Sequence, residues 1–320
     1  MFIVKLYNEK YYTIWNEFVG KAKNATFLFH RNFMDYHNDR FQDYSLLIFD
    51  EKENLKAILP ANRVENTVYS HQGLTYGGLV LAPKTKTNDT FKLLDTVLHF
   101  FKNNAIEKLQ IKKFPVFYSP FGNCEFDYYC FKNKANLIKR EMNLVFPLGY
   151  NELLSKSKLK HFAKTSKLAL EIKESTRFNA FWNMVLLPRL AEKHQTKPVH
   201  TLEEITLLAQ KFPNNIKQFD VYFENTIVAG ITLFIDKYAV KSQYGATTAL
   251  GEKIRALDFL YFSLYEKFVT TNILYFDMGT VTDFSFEQDY NAGLLQQKEE
   301  LGGVVYNQDC YEFDLNSFCV

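Results

Sequence analysis

Two stretches of the chain repeat one order of hydrophobic and polar positions. From Tyr44 it reads YSLLIFDEKENLKAILP, then TVYSHQGLTYGGLVL and FKLLDTVLHFFKNNAIEKLQIKKFP; from Phe219 it reads FDVYFENTIVAGITLF, then AVKSQYGATTA and IRALDFLYFSLYEKFVTTNILYFDMG. Short apolar runs broken by polar turns predict strands, and the longer apolar runs predict helices. Each copy thus predicts a strand, a turn (50–54, then 224–226), a strand, and a further strand carrying Tyr76-Gly77 or Tyr244-Gly245. An apolar helix and a short closing strand, LQIKK or ILYFD, complete each copy. Duplication of one α/β unit explains this order better than one long sheet, and the expected domains are 1–147 and 148–320.

Between the copies, NELLSKSKLKHFAKTSKLALEIKES predicts an amphipathic helix. At about 100° per residue, Leu159, Phe162, Ala163, Ser166 and Leu170 share one face, with Lys156, Lys160, Lys164 and Lys167 as a stripe beside it. No acidic residue interrupts the stripe to form i,i+4 pairs. It reads either as a solvated face or as a clamp for a phosphorylated substrate. Helices follow around FNAFWNMVLLPRLAEKH and after PVH, where Thr201 and Glu204 have capping-box spacing. His200 stands just ahead of that cap.

Composition narrows the classes. With 320 residues and 47 % hydrophobic content, a large core is expected. A net charge of +2 is too small for a general nucleic-acid or membrane field, so any basic site is local and DNA is not an expected partner. The opening MFIVKLYNEKYY is not signal-like, and no segment approaches eighteen uninterrupted apolar residues. A soluble, cytoplasmic protein without a membrane span is expected. Cys124, Cys130, Cys310 and Cys319 form no CxxC pair and have no histidines at zinc-ligand spacing, which predicts reduced thiols and no metal.

The passage QYGATTALGEKIRALDFL turns strand into helix at one glycine, Gly251, beside Lys253 and Arg255. It fits an anion site at unpartnered helix amides, or a loop of solvated charges.

The segments LTYGGLVL, KHQTKPVHTLEEITLLAQKFP, SQYGATTALGEKIRALDFL, YFDMGTVTD and GLLQQKEELGG, in that order, resemble GNAT-type acyltransferases and, within them, the tandem-domain Fem-like branch. That branch includes aminoacyl-tRNA-dependent peptidyltransferases and acetyltransferases linked to the cell envelope. The resemblance implies an α/β (α+β) fold of two tandem GNAT-like domains, each a mixed sheet flanked by helices. It implies acetyl-CoA or another acyl-CoA held in a splay between 241–246 and 273–278, with Gln243 and Gly245 on one strand. The diphosphate would rest on the turn 249–256, with Gly251, Lys253, Arg255 and Ala256. This turn departs from the usual GNAT pattern, since Thr248 replaces Gln or Arg and Lys253 replaces Gly or Ala. The first copy has no comparable turn. It is expected to bind the acceptor or to serve as scaffold, with Tyr76 and Gly77 at the substrate and Lys160 and Lys164 contributed by the basic helix.

Acyl transfer needs a base for the nucleophile, donors for the oxyanion and an acid for the leaving group. Tyr244 is the candidate acid; Asp277, Glu299, His200 and His194 are candidate bases. The expected activity is transfer from acyl-CoA to an amine or hydroxyl of a sugar-containing or envelope-related acceptor, a small or nucleotide-linked molecule. Two alternatives stand beside it: aminoacyl transfer from tRNA onto a peptidoglycan precursor, and a catalytically silent binding module.

Overall fold

The computed structural model describes residues 2–119, 124–194 and 196–318. They divide into two units, one running to Glu141 and taking in the chain from Asn307, the other spanning Met142–Tyr306. The expected boundary at 147/148 is therefore displaced, and the last strand returns to the first unit. Local pattern could not show this return, because it depends on pairing between Lys108–Lys112 and residues 310–314.

In the first unit the antiparallel strands Phe2–Leu6, Leu46–Asp50, Leu55–Leu59 and Val80–Leu81 form one sheet. A second set runs from residues 310–314 through Lys108–Lys112, Thr67–Ser70 and Asn62–Val64 to Gln42–Asp43. The helix Thr87–Asn103 buries Leu93, Leu94, Val97, Leu98 and Phe101, spacings that put one stripe on the core.

In the second unit the strand order is Leu170–Ser175, Ile216–Phe223, Thr226–Ile235, Ala239–Thr247, Tyr275–Thr280 and residues 143–147. TIVAGITLFI is buried along nearly its whole length, as expected of a strand covered on both faces. The helix Ala256–Val269 buries eight residues, among them Leu260, Phe262, Leu264 and Phe268. Among the described residues, no helix is long and apolar enough to cross a membrane. Cys124, Cys130 and Cys310 are free thiols; Cys319 lies outside the described residues.

The basic helix spans Lys156–Thr165 and stops short of Leu170, which opens a strand. Its inward face differs from expectation. Leu159 is 40 % exposed and Ala163 and Ser166 are exposed, whereas Lys158 and Thr165 are buried.

Candidate active site

Two neighbouring strands of the second unit part company. Ala239–Thr247 lies parallel to Tyr275–Thr280 through only three pairs, the last being Lys241 with Asp277. Beyond it the second strand turns at Gly279, whose φ is +76° and whose N–H donates to Asp277 Oδ1 at 2.7 Å. Asp277 Oδ2 accepts from Lys241 Nζ at 3.2 Å. The first strand carries a bulge on its other edge: Ser242 pairs with Leu233 and Tyr244 with Thr232, leaving Gln243 as the extra residue. Bulges re-aim strands and mark sites.

The gap opens into a cavity of about 660 Å³, lined on the strand side by Ser242, Gln243, Gly245, Ala246, Thr247 and Met278. This size suits a small ligand. Its other walls come from the helices Lys156–Thr165, Ala256–Val269 and Ala292–Glu300.

Lys298 is the group on that wall with the most chemical consequence. It is only 9 % exposed, and its backbone carbonyl accepts from Gly303 N–H at the Gly302-Gly303 turn. Its Nζ donates to Gly279 O at 3.0 Å and Thr280 O at 2.9 Å. Burial pushes its pKa down to about 7; the neighbouring Lys241 adds to the shift and Asp277 opposes it. A neutral amine spends both N–H groups on those carbonyls and keeps a lone pair, whereas the ammonium has one more donor.

A second charged group lies on the helical wall. Lys158 Nζ donates to Asp258 Oδ2 at 2.7 Å, both side chains being almost fully buried. Glu300 Oε2 is 3.8 Å from the same Nζ. Nearer solvent, Arg189 pairs with Glu252, and exposed Arg255 has no ion-pair partner among the described residues.

The sequence matches no family model and no curated protein. Solved structures do resemble the chain. The crystal structure of FemX superposes with a TM-score of 0.70 over 98 % of each chain at 9 % identity. L-PGS from Bacillus licheniformis gives 0.54 over 85 % of this chain and 84 % of its own at 10 % identity. A tandem GNAT protein from the clavulanic acid biosynthesis pathway gives 0.51 over 98 % and 99 % at 7 % identity. The chain has a GNAT-type, Fem-like fold.

Within that fold, the turn expected to hold a diphosphate is built differently. Residues 249–253 form a helical turn capped by Thr248, whose Oγ1 accepts from Gly251 N–H. The amides of Glu252, Ile254 and Arg255 also bond to protein carbonyls. Gly251 serves packing: a Cβ there would lie 2.1 Å from Val228 O and 2.3 Å from Thr247 Oγ1. Gly251→Ala is therefore expected to cost about 1–3 kcal/mol through overpacking, read as a lower urea midpoint with unchanged slope. Gln243, Gly245, Gly251 and Arg255 line the cavity, whereas exposed Lys253 and buried Ala256 do not.

The expected catalytic groups are redistributed. Tyr244 and His200 meet, the hydroxyl lying 2.6 Å from Nδ1 and accepting from the His200 N–H at 3.1 Å. The Tyr244 ring packs on Trp182, and neither residue lines the cavity. Burial raises the Tyr244 pKa; hydrogen bonds from the His200 backbone and the Gln243 side chain oppose it. Asp277 is 1 % exposed and spends its oxygens on Gly279 and Lys241. Glu299 is exposed and off the lining. The side chain of His194 lies outside the described residues.

The substrate-binding expectations shift as well. Tyr76 is buried in the first unit, donating to Thr26 Oγ1 at 3.0 Å. Gly77 packs so tightly that a Cβ would meet Ser70 O at 1.7 Å. Lys160 and Lys164 are exposed and off the cavity lining. Sequence reasoning missed Lys158, Asp258 and Lys298, although spacing carried a signal: Lys158 shares a helical face with Phe162 and Thr165, and Lys298 with Leu294 and Leu295.

Proposed function

We propose that the chain is a GNAT-like acyltransferase whose second unit binds the donor. We further propose that this donor is an aminoacyl ester of tRNA. The acceptor is an amine or hydroxyl on a nucleotide-linked or other sugar-containing, envelope-related molecule. Lys298 carries the transferase reading. A desolvated lysine titrating near neutrality on a cavity wall is costly to a fold and is the kind of group acid–base chemistry uses. A silent binding module has no need of it.

In this reading the lone pair of neutral Lys298 takes the proton of the attacking amine or hydroxyl. The new bond forms to the acyl carbon, the ester C–O bond breaks, and the resulting ammonium returns the proton to the departing ribose oxygen. The Lys241–Asp277 pair holds the strands at the base of the gap.

The donor assignment rests on the turn after Gly245. Several of its amides are committed to protein acceptors, and the first turn of the following helix carries the buried carboxylate of Asp258. A carboxylate there disfavours a diphosphate at the same helix end by like-charge repulsion. The Fem-like resemblance implies tRNA-linked donors as well. Acyl-CoA remains the second reading, favoured by exposed, unpaired Arg255. The first unit would bind acceptor or act as scaffold, and Lys160 and Lys164 would meet phosphates from the surface.

Thermal unfolding with a pool of aminoacylated tRNA, and separately with coenzyme A, tests the donor. Charged tRNA at about a hundred times its Kd is expected to stabilise by roughly 2.7 kcal/mol, with no effect of coenzyme A. Stabilisation by coenzyme A alone would reverse the assignment, and by neither would favour the silent module.

A further inference from the structure

The wall formed by the almost buried Lys158 and Asp258 and the partly exposed Glu300 has more acceptor capacity than the protein fills. Asp258 Oδ2 receives Lys158, but Oδ1 has no hydrogen-bond partner among the described residues. Its side chain is 6 % exposed and lines the cavity. Glu300 Oε1 accepts from Gln296 Nε2 at 3.2 Å, while Oε2 lies beyond hydrogen-bond reach of Lys158 at 3.8 Å. One ammonium thus stands between two carboxylates, and the almost buried one, Asp258, keeps an oxygen that the protein leaves unfilled, which is costly where water is scarce. An incoming group with several N–H donors and one positive charge would satisfy Asp258 Oδ1 and Glu300 Oε2.

We infer that this wall is the recognition site for the α-ammonium of the donor's aminoacyl group, so that the enzyme selects acyl groups carrying a free amine. The inference rests on the aminoacyl-ester reading and adds what that reading lacks, a reason to reject plain acyl groups. The same Ala256–Val269 helix carries Asp258 and, one turn on, Tyr261, whose hydroxyl lies 3.1 Å from Ser242 Oγ on the parted strand. Both Tyr261 and Ser242 line the cavity. The Asp258 carboxylate therefore opens into the same cavity as the parted strands, one helical turn from Tyr261. Arg189 does not fill these oxygens, because Glu252 and Glu192 take its guanidinium.

The test uses amide mimics of the donor terminus, titrated calorimetrically into the full chain. They are 3′-deoxy-3′-(L-alanylamido)adenosine, its N-methyl derivative, which keeps the charge, and its N-acetyl derivative, which loses it. The first two are expected to bind alike and the third about ten-fold or more weakly. In Glu300→Gln and Asp258→Asn, each checked by thermal melting, that preference should shrink toward unity. If Asp258→Asn does not fold, partly exposed Glu300 still decides. Equal binding of the N-acetyl compound, or a preference unchanged in the folded variants, overturns the inference while leaving the donor reading intact. If none of the mimics binds while coenzyme A does, the donor reading falls and the inference with it.

Discussion

Replacing Lys298 by alanine is expected to lower kcat/KM for acyl transfer by about 10²–10⁴-fold, the usual worth of a positioned proton-transfer group. The pH profile separates catalysis from structure. Because burial holds the Lys298 pKa at about 7, the neutral base is scarce below that value and dominant above it. Wild-type kcat/KM should rise with pH through an inflection near 7, and Lys298→Ala should lose the inflection together with the rate. Lys298→Arg keeps a cation that never deprotonates, so it should be as inactive as the alanine variant. An arginine variant retaining most of the activity would show that charge alone is needed. Stability has its own sign. The unfolded chain binds this proton with a pKa of 10.5, so between about 7 and 10.5 it holds more protons than the folded one and stability rises with pH. The burial penalty is full below 7, and Lys298→Met should flatten that slope in urea titrations.

Most of the duplicated order of elements was legible because it is written in local periodicity, although Tyr76-Gly77 lies between the strands Thr67–Ser70 and Val80–Leu81 and not on one. FDVYFENTIVAGITLF does form two paired strands about a tight turn, and the apolar run after Arg255 does form a long buried helix. The capping box at Thr201 and Glu204 is present in both directions. The site was less legible, because its chemistry arises from burial rather than residue type. In QKEELGG, Lys298 and Glu299 look alike as solvated charges, and what separates them is that the Lys298 ammonium reaches the Gly279 and Thr280 carbonyls whereas Glu299 stays exposed. The phase of the Lys156–Thr165 helix was misjudged for a related reason. By periodicity Leu159 and Ala163 mark its inner face, but docking against Ala256–Val269 rewards the ion pair of Lys158 with Asp258. Tyr244 and Asp277 on strands, and Tyr76 in a loop, stand out as polar groups, yet each is satisfied within the protein. A lysine in an apolar slot of a helix was the better signal.

The second large effect is expected at that ion pair. Lys158→Met strands the Asp258 carboxylate in a place from which water is nearly excluded, and removing one partner of a buried pair typically costs about 3–5 kcal/mol. Asp258→Leu should cost less, because Glu300 lies 3.8 Å from the orphaned ammonium and its side chain is 36 % exposed, so it is free to move in. The double variant Lys158→Met/Asp258→Leu removes both charges and fills their space with apolar atoms. Such exchanges are often neutral or stabilising, so it should recover most of the loss from Lys158→Met. Urea unfolding of the four proteins measures the coupling. Single-variant losses below about 1 kcal/mol would mean that water reaches the pair and that its worth is that of a surface bridge. The cycle also separates two roles that a single substitution confounds. If the double variant is as stable as wild type but no longer distinguishes a free amine from an acetylated one, the pair is retained for the ligand it selects rather than for the fold it supports.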